Sequence, residues 1–225
     1  MSPLPRVQAQ IGQRTLLLTT AALPLTGWTI HALALHRRLS ATKRDPLTGL
    51  LRRDSYTAQA RRLLARHGDD VAVVMVDADH FKQINEGFGH AAGDAVLAAF
   101  GARLAIWAGP RAAVGRLGGD EFAVVLELPA ARRAHRLEQL VRMLHTPITV
   151  DDGCTVDVAA SVGAATPDAT GTRDLTGLQR AADAALYEGK HSGRAVLATA
   201  EHATVPSING RRAGRPGTAL WGRAA

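Results

Sequence analysis

Gly115-Arg116-Leu117-Gly118-Gly119-Asp120-Glu121-Phe122 is the stretch on which the reading of this chain turns. Apolar, strand-like residues flank it at 112–114 and 123–126. Two glycines between two such runs predict a tight hairpin turn. Asp120 and Glu121 follow the glycines at once. Adjacent acids repel each other; a bound cation relieves that repulsion, and hard cations take oxygen ligands. Glycine keeps side chains off the turn, so a ligand can come close to the backbone. On these residues alone the stretch is either a metal-assisted anion site or a plain solvated hairpin.

Upstream, residues 71–76 (VAVVMV) form a continuous apolar run with polar ends, the pattern of a buried central strand. The run delivers Asp77-Ala78-Asp79-His80-Phe81-Lys82 at its C-terminal end. Asp77 and Asp79 share one face of such a strand. An acid there, beside a second acidic hairpin, is a way to clamp a divalent cation. Asp77 is assigned to the metal and Asp79 to the cap of the next helix. Asp54 is placed as the N-cap of a helix over 55–66. Gly93-Asp94 is expected to open a helix over 95–108, with Val96, Leu97, Phe100, Leu104 and Trp107 inward at helical spacing. Gly109-Pro110 stops it.

Downstream, a helix over Ala130–Leu144 carries Arg132, Arg133, Arg136 and Arg142, read as a solvated face rather than a nucleic-acid patch. Residues 146–150 and 154–165 read as two strands around an Asp151-Asp152-Gly153 turn. Leu175–Glu188 is amphipathic, with Leu178, Ala181, Ala182, Ala185 and Leu186 inward, and a last strand covers 195–198.

Residues 118–122 spell GGDEF, and the chain resembles the diguanylate cyclase (GGDEF domain) family through this and four other blocks in the right order. Residues 45–53 (DPLTGLLRR) match the opening D-x-L-T-G-L-x-x-R. Residues 77–94 (DADHFKQINEGFGHAAGD) carry every fixed letter of D-x-D-x-F-K-x-x-N-x-x-x-G-H-x-x-G-D. Ser161-Val162-Gly163-Ala164-Ala165 is similar to the S-I-G-x-A strand, and residues 185–194 are similar to the closing A-L-Y-x-x-K-x-x-G-R. The resemblance covers residues 45–198. It implies an α/β (α+β) palm-like fold of the nucleotide-cyclase kind, with a central, mostly antiparallel sheet flanked by helices. It further implies condensation of two GTP into cyclic di-GMP with release of two pyrophosphates, by two domains that meet as a homodimer.

For the site, the resemblance implies Asp77, Asp120 and the main-chain carbonyl of Ala78 as metal ligands, for Mg2+ or Mn2+, two ions per GTP-bound site. Glu121 is the expected proton acceptor, with Asp120 able to share the role. Lys82, Lys190 and Arg194 would neutralise the triphosphate, and Gly118 and Gly119 would let the backbone approach it. Asn85 and Asp94 supply the donor and acceptor that guanine needs, and His90 helps hold the nucleotide or packs beside the turn. Arg116 organises the hairpin. The family's inhibitory R-x-x-D would fall on Gly109 and Ala112, so the product site is expected to be missing. A catalytically silent domain that binds GTP or cyclic di-GMP is the rival. An adenylate-type activity fits Asn85 and Asp94 less well.

The chain has 225 residues and a net charge of +7. Residues 1–44 carry six basic residues and no acid, and 201–225 carry four arginines against one glutamate. The middle is therefore slightly acidic, which argues against a DNA-reading face and for membrane-proximal arms. Nucleic acid is excluded as a partner on that ground. The single cysteine, Cys154, excludes an internal disulfide. Residues 15–35 lack Asp, Glu, Lys and Arg and, at about 1.5 Å per residue, would span a bilayer's hydrocarbon core of roughly 30 Å. The expected organisation is an N-terminal segment 1–14, a single-pass membrane helix 15–35 with the C-terminal side cytoplasmic, a basic linker 36–44, the catalytic domain 45–198 and a disordered tail 199–225. A signal peptide or a soluble helix is the alternative for 15–35.

Overall fold

The computed structural model describes residues 43–150, 153–190 and 192–204. The expected membrane helix, the N-terminal segment before it and residues 205–225 lie outside the described residues. So does the linker, apart from its last two residues.

Six strands form one sheet in the order β1-β3-β4-β2-β7-β8. They are β1 (Leu51–Arg52), β2 (Val71–Ala78), β3 (Ala113–Gly118), β4 (Glu121–Glu127), β7 (Ala160–Ala165) and β8 (Ala195–Leu197). The three central pairings, β3–β4, β4–β2 and β2–β7, are antiparallel; the outer ones, β1–β3 and β7–β8, are parallel. A separate two-stranded ribbon pairs β5 (Ile148–Thr149) with β6 (Thr155–Val156). The helices are α1 (Arg53–His67), α2 (Phe81–Phe88), α3 (His90–Ala108), α4 (Ala130–Leu144), α5 (Pro167–Thr170), α6 (Leu175–Glu188) and α7 (Ala200–Thr204). The expected mixed α/β architecture with a mostly antiparallel sheet is what the chain adopts.

Central β2 is buried on both faces, which is why its sequence is an unbroken apolar run rather than an alternation. Val71, Val73 and Met75 pack with Tyr56, Ala60 and Leu64 of α1 and with Leu178, Ala182 and Ala185 of α6. Ala72, Val74, Val76 and Ala78 pack on the other face with Val96, Phe100 and Leu104 of α3 and Leu137, Leu140 and Leu144 of α4. Each fully buried valine contributes about 1.5–3 kcal/mol relative to exposure, so β2 anchors both layers. α3 is the one described helix long and apolar enough to cross a membrane, but eight of its residues, Val96 and Trp107 among them, are buried in this core.

Several expected boundaries move. α1 starts at Arg53, because β1 runs straight into it, and Asp54 sits in its first turn instead of capping it. α3 starts at His90, so Gly93 and Asp94 lie inside the helix; Gly89, at φ 83°, makes the break from α2. The run 154–165 is two strands, since β7 pairs with β2 only as far as Ala160, opposite the end of β2 at Ala78. The arginines of α4 are not all solvated. Arg133 is buried and donates to both carboxylate oxygens of Asp168, at 3.1 and 3.3 Å. Arg136 lies 5.0 Å over the Trp107 ring and donates to the Trp107 carbonyl.

Candidate active site

Strands β3 and β4 meet in the expected turn, with Gly119 and Asp120 at its tip. Gly119 has φ 38°, a region side chains disfavour. The register shifts between Arg116 and Gly118, a bulge that re-aims the strand end at Leu117. Arg116 holds the turn from within: its Nε donates to the Gly119 carbonyl at 2.9 Å, and its other end donates to Asp45 Oδ1 at 3.1 Å. Asp45 also accepts the amide and hydroxyl of Thr48, at 2.9 and 2.8 Å. Burial works against the charge of Asp45, but the Thr48 donors and the Arg116 guanidinium outweigh it and keep its carboxyl below the usual range. The opening D-x-L-T block is thus the far anchor of the hairpin, and Arg116 has the organising role expected of it. Two more ties fix the tip. The Ala78 amide donates to the Asp120 carbonyl at 3.2 Å, and the Arg53 guanidinium donates to the Leu117 carbonyl.

The carboxylates gather where β2 ends beside this turn. Asp77 and Glu121 are direct cross-strand partners, so their side chains leave the same face of the sheet. Burial pushes the Glu121 carboxyl above its ordinary value, and the charges of Asp77, Asp120 and Asp183 push it further; Arg53 opposes them. Arg53 is close: a Cβ on Gly118 would lie 3.7 Å from its guanidinium nitrogen and 4.0 Å from Glu121 Oε2. Lys190, two residues past the end of α6, puts its Nζ 3.1 Å from Asp77 Oδ1. This concentration of negative charge suits a cation, and the donors are the hard oxygens that Mg2+ prefers. Among the described residues, no three His, Cys, Asp or Glu side chains converge as a metal cluster. The expected ligand set needs only two carboxylates and a main-chain carbonyl.

Asp79 does not cap α2. That helix begins after His80, which sits at φ 57° and makes no side-chain cap. Asp79 is buried and accepts a 2.8 Å hydrogen bond from Ser161 on β7, while its amide donates to the Ala159 carbonyl. It ties the loop after β2 to the neighbouring strand, a pairing across more than eighty residues that no local pattern announces.

The residues expected to bind the base sit on the α2–α3 corner. α2 packs tightly against Gly93, since a Cβ there would overlap the Asn85 carboxamide. Asp94, the next residue of α3, is exposed. His90 is the exposed first residue of α3. Lys82 is exposed and lies 3.5 Å from Glu86. Lys190 and Arg194 do not share a helix end: a turn through Gly193 separates them, and Arg194 lines a groove between α4 and β8. Sequence reasoning missed Arg53 and Asp183. Arg53 had a signal, because it ends the opening motif as its last fixed letter; Asp183 had none beyond its place on α6.

Comparison with known proteins matches this geometry to one family. The sequence model for "Diguanylate cyclase, GGDEF domain" covers residues 42–196. An uncharacterised 19.3 kDa protein of Streptomyces ambofaciens is 45% identical over 173 residues, which are 76% of this chain and 91% of that one. Diguanylate cyclase TpbB of Pseudomonas aeruginosa is 36% identical over 164 residues, 70% of this chain but only 37% of that enzyme. The solved GGDEF domain of TpbB superposes with a TM-score of 0.64 at 34% identity, covering 71% of this chain and 96% of that domain. The coiled coil and GGDEF domain of DgcB from Caulobacter crescentus, solved with c-di-GMP, gives 0.66 at 25% identity over 80% of this chain and 99% of that one.

Proposed function

Because the chain belongs to the diguanylate cyclase GGDEF domain family, we propose that it is itself an active diguanylate cyclase, condensing two GTP into cyclic di-GMP. The observation that carries this reading is the Asp77–Glu121 pair at the turn, with Glu121 pushed above the ordinary carboxylate range.

Two copies of the domain face each other, each presenting one GTP. The 3′-oxygen of one GTP bonds to the α-phosphorus of the other, the bond to the β-phosphate breaks, and pyrophosphate leaves with its electron pair. Glu121 takes the 3′-hydroxyl proton; a raised proton affinity suits a general base working near neutral pH. The same step in the other direction closes the ring and releases the second pyrophosphate. Asp77, Asp120 and the Ala78 carbonyl would hold two Mg2+ or Mn2+ ions, which when bound neutralise the α-phosphate and the departing pyrophosphate. Gly118 and Gly119 leave room for the phosphates, and Lys82 and Lys190 offset their charge. Asn85 and Asp94 read guanine through its O6 and its N1 and N2 hydrogens, and His90 steadies the nucleotide. Arg116, through Asp45, keeps the turn in place.

Gly109 caps α3 at φ 79°, and Ala112 donates its amide back to the Gly109 carbonyl. Neither side chain is charged, so feedback inhibition through that position is not expected. Residues 15–35 would anchor the domain at the cytoplasmic face of a membrane and help bring two copies together.

Incubating the full chain in detergent with Mg2+ and either GTP or ATP, and separating the nucleotides by chromatography, tests the reading. Cyclic di-GMP and pyrophosphate from GTP alone are expected. GTP that binds but is never consumed would instead establish the silent domain.

A further inference from the structure

α4 and the edge strand β8 enclose a groove of about 520 Å3. Ala134, Leu137 and Val141 form one wall, and Ala195 and Leu197 the other. Its α4 wall runs from Ala130 to Arg142, about 18 Å at 1.5 Å per residue. That is the length of five or six residues of extended chain at about 3.3 Å each.

The groove lies along a sheet edge. Among the described residues, β8 has β7 on one side and no strand on the other. In a parallel ladder, alternate residues turn both backbone groups to the neighbour. Ala198 donates to the Ala164 carbonyl, so Leu197 turns its N–H and C=O outward, and among the described residues nothing meets that N–H. Edge strands are normally blunted by charge, proline or a bulge. Ala195-Val196-Leu197 has none of these, and Leu197 is 37% exposed.

Charge decides what fits. Arg133, Arg142 and Arg194 line the groove against Glu138 alone. Asp168 satisfies two nitrogens of Arg133, but its buried Nε has no hydrogen-bond partner. The chain's own ends are poor occupants: 1–44 and 205–225 hold only basic charges, six and four of them. A guest must bring carboxylates.

We propose that this groove docks an extended, acidic segment of a partner protein, which adds a seventh strand to β8. Its outward backbone groups pair with Leu197, its apolar side chains enter between Ala134 and Leu197, and its carboxylates meet Arg142 and Arg133. β8 follows directly on the turn that carries Lys190, so a strand seated there braces the segment reaching Asp77.

The test uses the full chain in detergent and two fluorescein-labelled peptides, one of alternating glutamate and valine and one of alternating lysine and valine. Binding is read by anisotropy, and the Leu197 amide by hydrogen exchange. The acidic peptide is expected to bind and to slow exchange at Leu197, with the basic one at least about tenfold weaker. Ala134 is exposed, so Ala134→Trp fills the groove without disturbing the core; it is expected to weaken the acidic peptide at least about tenfold while GTP turnover is unchanged. Absence of binding, equal binding of both peptides, or binding that survives Ala134→Trp would each overturn the proposal. So would a Leu197 amide already protected without peptide, which would assign the edge to another part of this chain or to a second copy.

Discussion

The β3–β4 and β5–β6 hairpins share a sequence signal, glycine beside acids between apolar runs, yet the fold uses them in opposite ways. β3–β4 lies inside the six-stranded sheet, and its turn is held by Arg116, by Arg53 and by the Ala78 amide. β5–β6 pairs two residues with two in a ribbon of its own, closed by backbone bonds between Val150 and residues 153 and 154. Glu121, beside the first turn, faces Asp77 across a ladder and is pushed toward protonation. The difference lies in what surrounds the turn, since a charge raises its neighbour's proton affinity only where structure forces the two together.

The largest effect is expected at the centre of the first cluster. Asp77→Asn removes a metal carboxylate and should lower cyclic di-GMP formation by about a hundredfold or more; because Asp77 raises Glu121, it should also move the alkaline-rising limb of the pH–rate profile to lower pH. Next comes the clamp. Arg116→Ala should cost about ten- to a hundredfold in turnover through misplacement of the tip. Asp45→Asn should do nearly the same, and the double variant little more than either single one, as coupled residues require. Losses that add in the double variant would detach Asp45 from the hairpin.

A smaller effect concerns pH. Burial and neighbouring acids raise Glu121, so activity that needs its carboxylate should rise through a midpoint above the ordinary glutamate range. Arg53→Met removes an opposing cation and should shift that midpoint further up. Stability runs the other way. The folded proton affinity exceeds the unfolded one, so Glu121's contribution is present at low pH and is lost as pH rises through its folded value. Metal-free protein should therefore melt lower above that point, and Glu121→Gln should remove that part of the dependence. The smallest functional effect belongs to the second hairpin. Gly153→Ala, at φ 71°, should cost about 1–2 kcal/mol in denaturant unfolding and leave GTP turnover unchanged.

Much of this was legible in the sequence because it is local. The apolar run of β2, the α6 stripe and the glycine turn each follow from spacing within one segment. What failed was non-local. Asp79 looked like a cap until Ser161 on β7 supplied its partner, and Arg133 looked solvated until Asp168 buried it. The split of 154–165 depended on where β2 ends. Arg194, four residues after Lys190, was expected on the same anion, but the Gly193 turn carries it to the α4 groove.

The central claim is that chemistry occurs at the Gly118–Glu121 turn, and one paired measurement on Glu121→Gln tests it. GTP binding by calorimetry and cyclic di-GMP formation by chromatography are taken on the same preparation with Mg2+, beside the parent chain. The expected result is GTP affinity within about threefold of the parent and product formation lower by about a hundredfold or more. Product made at the parent rate by a variant that cannot take the proton would contradict the account.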